Sequence, residues 1–260
     1  MSSTRPKALV TGASSGIGAI YADRLARRGH DLVLVARDQK RLDNIAERLR
    51  AEAGVAIDVL AADLTDAAQT AAVEDRLRGD AGISMLVNNA GGATPAGFKA
   101  PDLEPLYRLL ELNVVGFTRL AGAAVQGFLR HGTKGAIVNV GSVVGFAPQW
   151  IPGVYGATKA YVLALSTSLQ AELAGDSIYV QAVIPGGTKT EIFERSGRTI
   201  RDDMMDATDL VDAALVGFDR REAVTIPSLH RADLYEAFEG ARQTLLPHLN
   251  NRTQADRYRP

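Results

Sequence analysis

With 260 residues, 46% of them hydrophobic, and no break in composition, the chain is long enough to bury a full core in one α/β domain. Lysine and arginine number 29 against 30 aspartates and glutamates, and the basic residues are scattered, which argues against nucleic acid or membrane and leaves a small-molecule partner. The absence of cysteine excludes disulfides and thiol chemistry, and His30, His131, His230 and His248 show no metal-ligand spacing. Met1–Pro6 is short and polar, and no run reaches the ~18 apolar residues of a membrane span, so a cytoplasmic protein is expected.

Lys7–Thr11 (KALVT) is a short apolar run of the kind that forms a buried parallel strand. It opens into Gly12-Ala13-Ser14-Ser15-Gly16-Ile17-Gly18, and an amphipathic segment, Ile17–Arg28, follows and stops at Gly29. Strand, glycine-rich turn and helix in that order make a phosphate-binding element, because glycines admit a pyrophosphate to the backbone and the helix N-terminus supplies amide donors. The G-x-x-x-G-x-G spacing departs from the G-x-G-x-x-G fingerprint, so a plain tight loop is the competing reading.

A second strand, Asp31–Ala36, ends at Arg37-Asp38 and leads into a helix, Asp38–Ala53. The tip of this strand is where a dinucleotide's ribose is read: an acidic side chain takes the 2′-hydroxyl of NAD, an arginine the 2′-phosphate of NADP. Ala36 stands in the acidic position and Arg37 follows it, which favours NADP(H) over NAD(H). The alternative has Arg37 snorkelling while Asp38 caps its helix or takes the ribose.

The third strand, Val55–Ala61, is followed by Asp63-Leu64, with Asp63 a candidate for the adenine amino group or a cap, and by a helix entered through Thr65 as N-cap. Strand four, Ile83–Val87, opens into Asn88-Asn89-Ala90-Gly91-Gly92, a composition that suits a turn or a ligand at the strand's carboxyl end. A long helical region from about Asp102 to Arg130 carries Asn113 in an apolar stretch, which propensity disfavours. Strand five, Ala136–Val140, delivers Ser142 to the same edge; an irregular loop, Val143–Gly153, precedes a helix over Tyr155–Leu173. Strand six, Tyr179–Ile184, stops at Pro185-Gly186-Gly187-Thr188-Lys189-Thr190. Glu191–Ala207 reads as a mobile segment with short helices; Thr208 caps a helix to about Arg220, and a strand, Ala223–Ile226, and a helix, Ala232–Leu246, precede a frayed tail, Asn250–Pro260. The expected fold is a single-domain, Rossmann-like, doubly wound parallel sheet of about seven strands flanked by helices.

Tyr155 and Lys159 are four residues apart on a helix and share a face, with Cβ atoms roughly 5–6 Å apart. A free phenol titrates near ~10, and an adjacent cation favours phenolate, so the pair makes a usable general acid or base at neutral pH. A solitary Tyr-x-x-x-Lys is more often a half-buried aromatic beside a solvated charge, so the surroundings must decide.

Those surroundings resemble the short-chain dehydrogenase/reductase family. Thr11–Gly18 is similar to its cofactor motif, Asn88–Gly91 to its strand-four motif, and Asn113, Ser142, Tyr155 and Lys159 to its catalytic tetrad; Pro185-Gly186 with Thr188 and Thr190 is similar to the segment that holds the nicotinamide carboxamide. The likeness runs from Lys7 to Thr190 with every motif in order. It implies hydride transfer between the nicotinamide and a carbonyl carbon. Tyr155 would give the proton, Ser142 would hold the oxygen, Lys159 would lower the tyrosine pKa and bind the ribose, and Asn113 would anchor a water. The cofactor contacts it implies are Gly12, Ser14, Ser15, Gly16, Ile17, Gly18, Arg37, Asp63, Leu64, Asn89, Ala90, Gly91, Tyr155, Lys159, Pro185, Gly186, Thr188 and Thr190. A substrate pocket is expected between Gly92–Phe98, Val143–Trp150 and Glu191–Met205, where Phe146, Trp150, Ile151, Ile192, Phe193, Met204 and Met205 suit a hydrophobic ketone, aldehyde or 3-oxoacyl compound. The alternatives are an NAD-dependent alcohol dehydrogenase and a nucleotide-sensing protein without turnover. The resemblance also implies a homo-oligomer, a tetramer or else a dimer.

Overall fold

A computed structural model of the chain describes residues 5–195, 197 and 199–259. They fall into two compact units, the first ending at Ser228 and the second spanning Leu229–Pro260.

In chain order the first unit comprises β1 (Lys7–Thr11), α1 (Gly16–Arg27), β2 (Asp31–Ala36), α2 (Gln39–Ala53), β3 (Ile57–Ala61), α3 (Ala67–Gly79) and β4 (Ile83–Asn88). There follow α4 (Glu104–Leu110), a π-helical turn (Glu111–Gly116), α5 (Phe117–His131), β5 (Gly135–Val140), α6 (Tyr155–Glu172) and β6 (Ile178–Val183). The unit closes with β7 (Thr188–Lys189), α7 (Glu191–Arg195), β8 (Met205–Asp206), α8 (Ala207–Asp219) and β9 (Val224–Thr225). Seven strands form one parallel sheet in the order β3-β2-β1-β4-β5-β6-β9. The order reverses between β1 and β4, so the crevice for a ligand opens beyond their carboxyl ends.

The central strands are almost entirely apolar because helices cover both faces. On one face Tyr21 and Leu25 of α1, Leu42 and Leu49 of α2 and Leu210 and Leu215 of α8 close over the strands. On the other, Val73 and Leu77 of α3, Leu120 and Phe128 of α5 and Leu169 of α6 do the same. From α4 through α5 the chain is one continuous helix of 28 residues, whose most apolar 18-residue window has a mean hydropathy of 1.2 and is half buried within the protein.

Two expected helix caps are corrected. The N-cap of α3 is Asp66, whose carboxylate accepts from the Ala68 and Gln69 amides, while Thr65 bonds instead to Asp63 through its amide and hydroxyl, at 3.0 and 2.8 Å. Both residue types can cap, and Asp66 is the one placed where the first free amides point. The cap position of α8 is Asp206, so Thr208 lies inside the first turn; Asp206 makes no capping side-chain bond and its Oδ1 lies 3.4 Å from Lys189 Nζ. The stretch Glu191–Ala207, read as mobile, contains α7 and β8, and β8 pairs with β7. Ser196 and Arg198 within it, like Met1–Thr4 and Pro260, lie outside the described residues.

The second unit contains α9 (Ala232–Leu245) and two 3-10 turns, Leu246–His248 and Asp256–Tyr258. None of its described residues is buried.

Candidate functional site

At the end of β1 the backbone of Gly12 and Gly16 takes φ +66° and +52°, a region that favours glycine. A Cβ on Gly12 would lie 2.7 Å from Asn89 Nδ2, and one on Gly18 would collide with the Gly12 carbonyl. Those glycines let the turn fold back tightly, and the first amides of α1 follow directly at Gly16–Gly18. Ser15 sits at the cap position and makes no side-chain cap bond of its own.

The β4 edge is bound to this turn by Thr11, which is not among the expected cofactor contacts. Thr11 Oγ1 accepts from the Asn89 and Ala90 amides, each at 2.9 Å, and donates to the Val87 carbonyl at 3.3 Å. Asn89 Nδ2 in turn donates to the Thr11 carbonyl at 2.9 Å. The signals in the sequence are a hydroxyl at the carboxyl end of an apolar strand and its place at the head of the Thr11–Gly18 stretch.

A cavity of about 900 Å3 opens over these elements. Of the expected cofactor residues, Gly12, Ser14, Ser15, Gly16, Ile17, Arg37, Asp63, Leu64, Asn89, Ala90, Gly91 and Thr190 line it. Gly18 is the closure of the turn and not part of the wall. Asp38, the alternative ribose ligand, accepts from the Arg41 amide at 3.0 Å and caps α2. Asp63 Oδ1 holds the Thr65 turn; burial pushes its carboxyl up, and the Thr65 bonds with the charges of Arg37 and Arg108 outweigh that and hold it below its ordinary value. Arg41 and Arg108, which carry no motif in the sequence, join Arg37 in the cavity wall.

Of the catalytic candidates, Asn113, Tyr155 and Lys159 are linked through Gly91 and Thr158, and none of the four, nor Pro185, Gly186 or Thr188, is among the residues lining the cavity. The π-helical turn widens the helix at Asn113, a distortion that recurs at functional sites. Asn113 Oδ1 accepts from the Gly92 amide at 2.9 Å, and its Nδ2 donates to the Gly92 carbonyl and to Thr158 Oγ1, both at 3.1 Å. Lys159 is buried, donates to the Val140 carbonyl at 3.1 Å, and has Nζ 5.9 Å from the centroid of the Tyr155 ring. Burial pulls its ammonium down to about 8. Gly91 is where they converge: a Cβ there would lie 3.3 Å from Asn113 Oδ1 and 3.5 Å from Lys159 Nζ. Ser142 opens a 3-10 turn, and its Oγ accepts from the Val144 amide at a long 3.4 Å. The Val143 amide donates to the Pro185 carbonyl at 2.8 Å, which ties the Ser142 turn to the Pro185–Gly186 turn. Thr188 Oγ1 donates to the Gly186 carbonyl at 3.0 Å, and Thr190 Oγ1 to the Thr188 carbonyl at 3.4 Å.

The expected substrate-pocket stretches are only partly gathered at the cavity. Gly92, Ala93, Thr94, Glu191 and Ile192 line it, whereas nothing from Val143–Trp150 does, and Trp150 is 68% exposed. That loop packs on α6, the helix of Tyr155 and Lys159: a Cβ on Gly156 would lie 2.5 Å from Pro148 Cα, and one on Gly145 2.8 Å from the Lys159 carbonyl.

Residues 6–201 match the family model of the short chain dehydrogenases. The chain belongs to that family. Among solved structures it is 57% identical to a short-chain dehydrogenase from Sphingobium yanoikuyae in complex with NADPH, covering 97% of this chain and 100% of that one with a TM-score of 0.94. It is 49% identical to the bulky-bulky ketone specific alcohol dehydrogenase from Comamonas testosteroni, over 99% and 100% of the two chains with a TM-score of 0.91. A very-long-chain 3-oxoacyl-CoA reductase from Anas platyrhynchos is 35% identical over 185 residues, which are 68% of this chain and 58% of that protein. As a family member the chain is an oxidoreductase of small-molecule carbonyl or alcohol substrates on a Rossmann-like fold. Its site fits a dinucleotide, since the glycine turn, the first residues of α1 with their amide donors and Arg37 border one cavity of about 900 Å3.

Proposed function

We propose that the chain is an NADP(H)-dependent carbonyl reductase acting on hydrophobic ketones, aldehydes or 3-oxoacyl compounds. The observation that carries the reading is the buried ammonium of Lys159, held 5.9 Å from the Tyr155 ring at the sheet edge where Asn113 and Gly91 meet. A buried lysine with its pKa near 8 exchanges protons at working pH, as an acid–base relay requires.

The cofactor, when bound, supplies or takes up the hydride. Tyr155 delivers the proton to the oxygen of the reacting carbonyl, and Ser142 donates a hydrogen bond to that oxygen and keeps it in place. Lys159 favours the phenolate of Tyr155 and holds the nicotinamide ribose. Asn113 fixes Gly92 and Thr158, and its remaining acceptor lone pair holds the water that feeds protons to Lys159. Arg37 takes the 2′-phosphate, Asp63 and Leu64 the adenine, and Pro185, Gly186, Thr188 and Thr190 the carboxamide. The NADP(H) assignment is supported by Arg37 in the cavity wall and by Asp38 being engaged as a helix cap; the NADPH-bound relative agrees with it. The bulky-ketone and 3-oxoacyl relatives support a large apolar substrate. Tyr107, Val115 and Leu129 are exposed along the long helix and support its packing against a second subunit.

Initial rates of NADPH and NADH oxidation over a panel of ketones, aldehydes and 3-oxoacyl thioesters test the reading. NADPH-dependent turnover that Tyr155→Phe lowers by at least about a hundredfold is expected. Faster rates with NADH would overturn the cofactor assignment, and binding of NADPH without turnover on any substrate would favour a sensing role.

A further inference from the structure

Arg41 and Glu191 meet at the wall of the dinucleotide cavity, which both line. The two carboxylate oxygens of Glu191 each lie 2.9 Å from Arg41 Nη1, and Arg41 Nε is 3.4 Å from Asp38 Oδ2. Arg41 stands in the first turn of α2, four residues past Arg37. Glu191 begins α7 and follows Thr190, whose Cγ2 would lie 3.2 Å from a Cβ on Gly16. The pair therefore connects the ribose end of the cavity to the segment that crosses the glycine turn.

The side chains of Arg41 and Glu191 are 47% and 40% exposed, so water screens their attraction and the pair contributes little by itself. A phosphate dianion is a stronger partner for a guanidinium than a carboxylate, and a carboxylate already on that guanidinium repels it. Asp38 is held on the α2 amide that it caps, whereas Glu191 reaches Arg41 from another element, α7.

We infer that Arg41 and Glu191 form a specificity pair, in which Arg41 joins Arg37 on the 2′-phosphate of NADP(H) and Glu191 competes with that phosphate for Arg41. The inference rests on the NADP(H) reading above. NAD(H) has no 2′-phosphate and leaves the pair intact, so Glu191 sets how far the two cofactors are told apart.

The test is the dissociation constant of NADPH and of NADH, read from nicotinamide fluorescence, for the native chain, Arg41→Ala, Glu191→Gln and the double variant. Arg41→Ala is expected to weaken NADPH about tenfold and to leave NADH within about twofold. Glu191→Gln is expected to tighten NADPH about threefold or more with NADH within about twofold, and that gain should vanish in the double variant. The inference is overturned if Glu191→Gln moves both cofactors alike or neither, or if Arg41→Ala leaves NADPH binding unchanged. A native chain that binds NADH more tightly than NADPH, or binds neither, would remove the proposed function and the inference with it.

Discussion

Lys159 is the residue at which burial and chemistry meet. Removal from water disfavours its charged form and lowers its pKa from 10.5 to about 8, although Tyr155 and the Val140 carbonyl are close. Below about pH 8 the lysine holds its proton and the Tyr155–Lys159 pair is loaded as an acid. Carbonyl reduction should therefore be level at lower pH and fall above an apparent pKa near 8, while alcohol oxidation rises through the same range. The pH profile of kcat/KM in both directions measures this, and a profile level to pH 10 would rule out Lys159 as the titrating relay. The same shift acts on stability with a definite sign. Between about 8 and 10.5 the unfolded chain holds a proton that the folded one has released, so Lys159 makes the fold more stable as pH rises through that window. Lys159→Met, which has nothing to titrate, should flatten that part of a denaturation series.

At the scale of elements, α3 and α5 approach closely at Gly127, where a Cβ would collide with the Leu77 carbonyl. Gly127→Ala should separate the two helices and cost about 1–3 kcal/mol, seen as a shifted urea midpoint with catalysis per folded molecule unchanged. Asn113 works at the same scale, since it completes three bonds between the π-helical turn, Gly92 and α6. Asn113→Leu leaves the Gly92 amide and carbonyl without those partners, and a loss of about 1–3 kcal/mol is expected together with a loss of turnover. These contacts also mark what the sequence could and could not disclose. Strand runs such as KALVT and DLVLVA and the glycine turn carry their own local signal, and β1, β2 and α1 lie within a residue or so of their expected bounds. The places of Arg37, in the cavity wall, and of Asp38, capping α2, were readable because both are fixed at one strand tip. The π-helical turn was not, because it depends on Asn113 finding Gly92, 21 residues away in the chain. Thr11 opens the stretch that resembles the cofactor motif, but its bonds to the Asn89 and Ala90 amides, 78 and 79 residues away, have no local signal. The packing of Val143–Trp150 on α6 is hidden for a similar reason, since Gly145 and Gly156 admit the close approach only once the two stretches are brought together.

Over the whole molecule, the proposed dinucleotide site joins elements that are far apart in the chain, from the glycine turn through β2, β4 and the long helix to Thr190. A ligand that binds only when all of them are assembled stabilises the folded state by mass action, in proportion to the logarithm of its concentration over its dissociation constant. At a hundred times that constant the gain is about 2.7 kcal/mol, and each tenfold difference in affinity between two ligands at equal concentration is about 1.4 kcal/mol. For a chain of this size about 1 kcal/mol moves the melting midpoint by about 2–4 °C. NADPH should therefore raise Tm by several degrees, and NADH at the same concentration should raise it by at least about 3 °C less if Arg37 discriminates as proposed. Arg37→Ala should bring the two curves together by lowering the NADPH shift, not by raising the NADH shift, because the side chain adds a contact to the 2′-phosphate and nothing to a free hydroxyl. Equal shifts for both cofactors in the native chain would mean that the strand tip does not read the ribose. A thermal-shift titration with both dinucleotides decides this without any knowledge of the substrate, so it isolates the cofactor half of the site from the catalytic half.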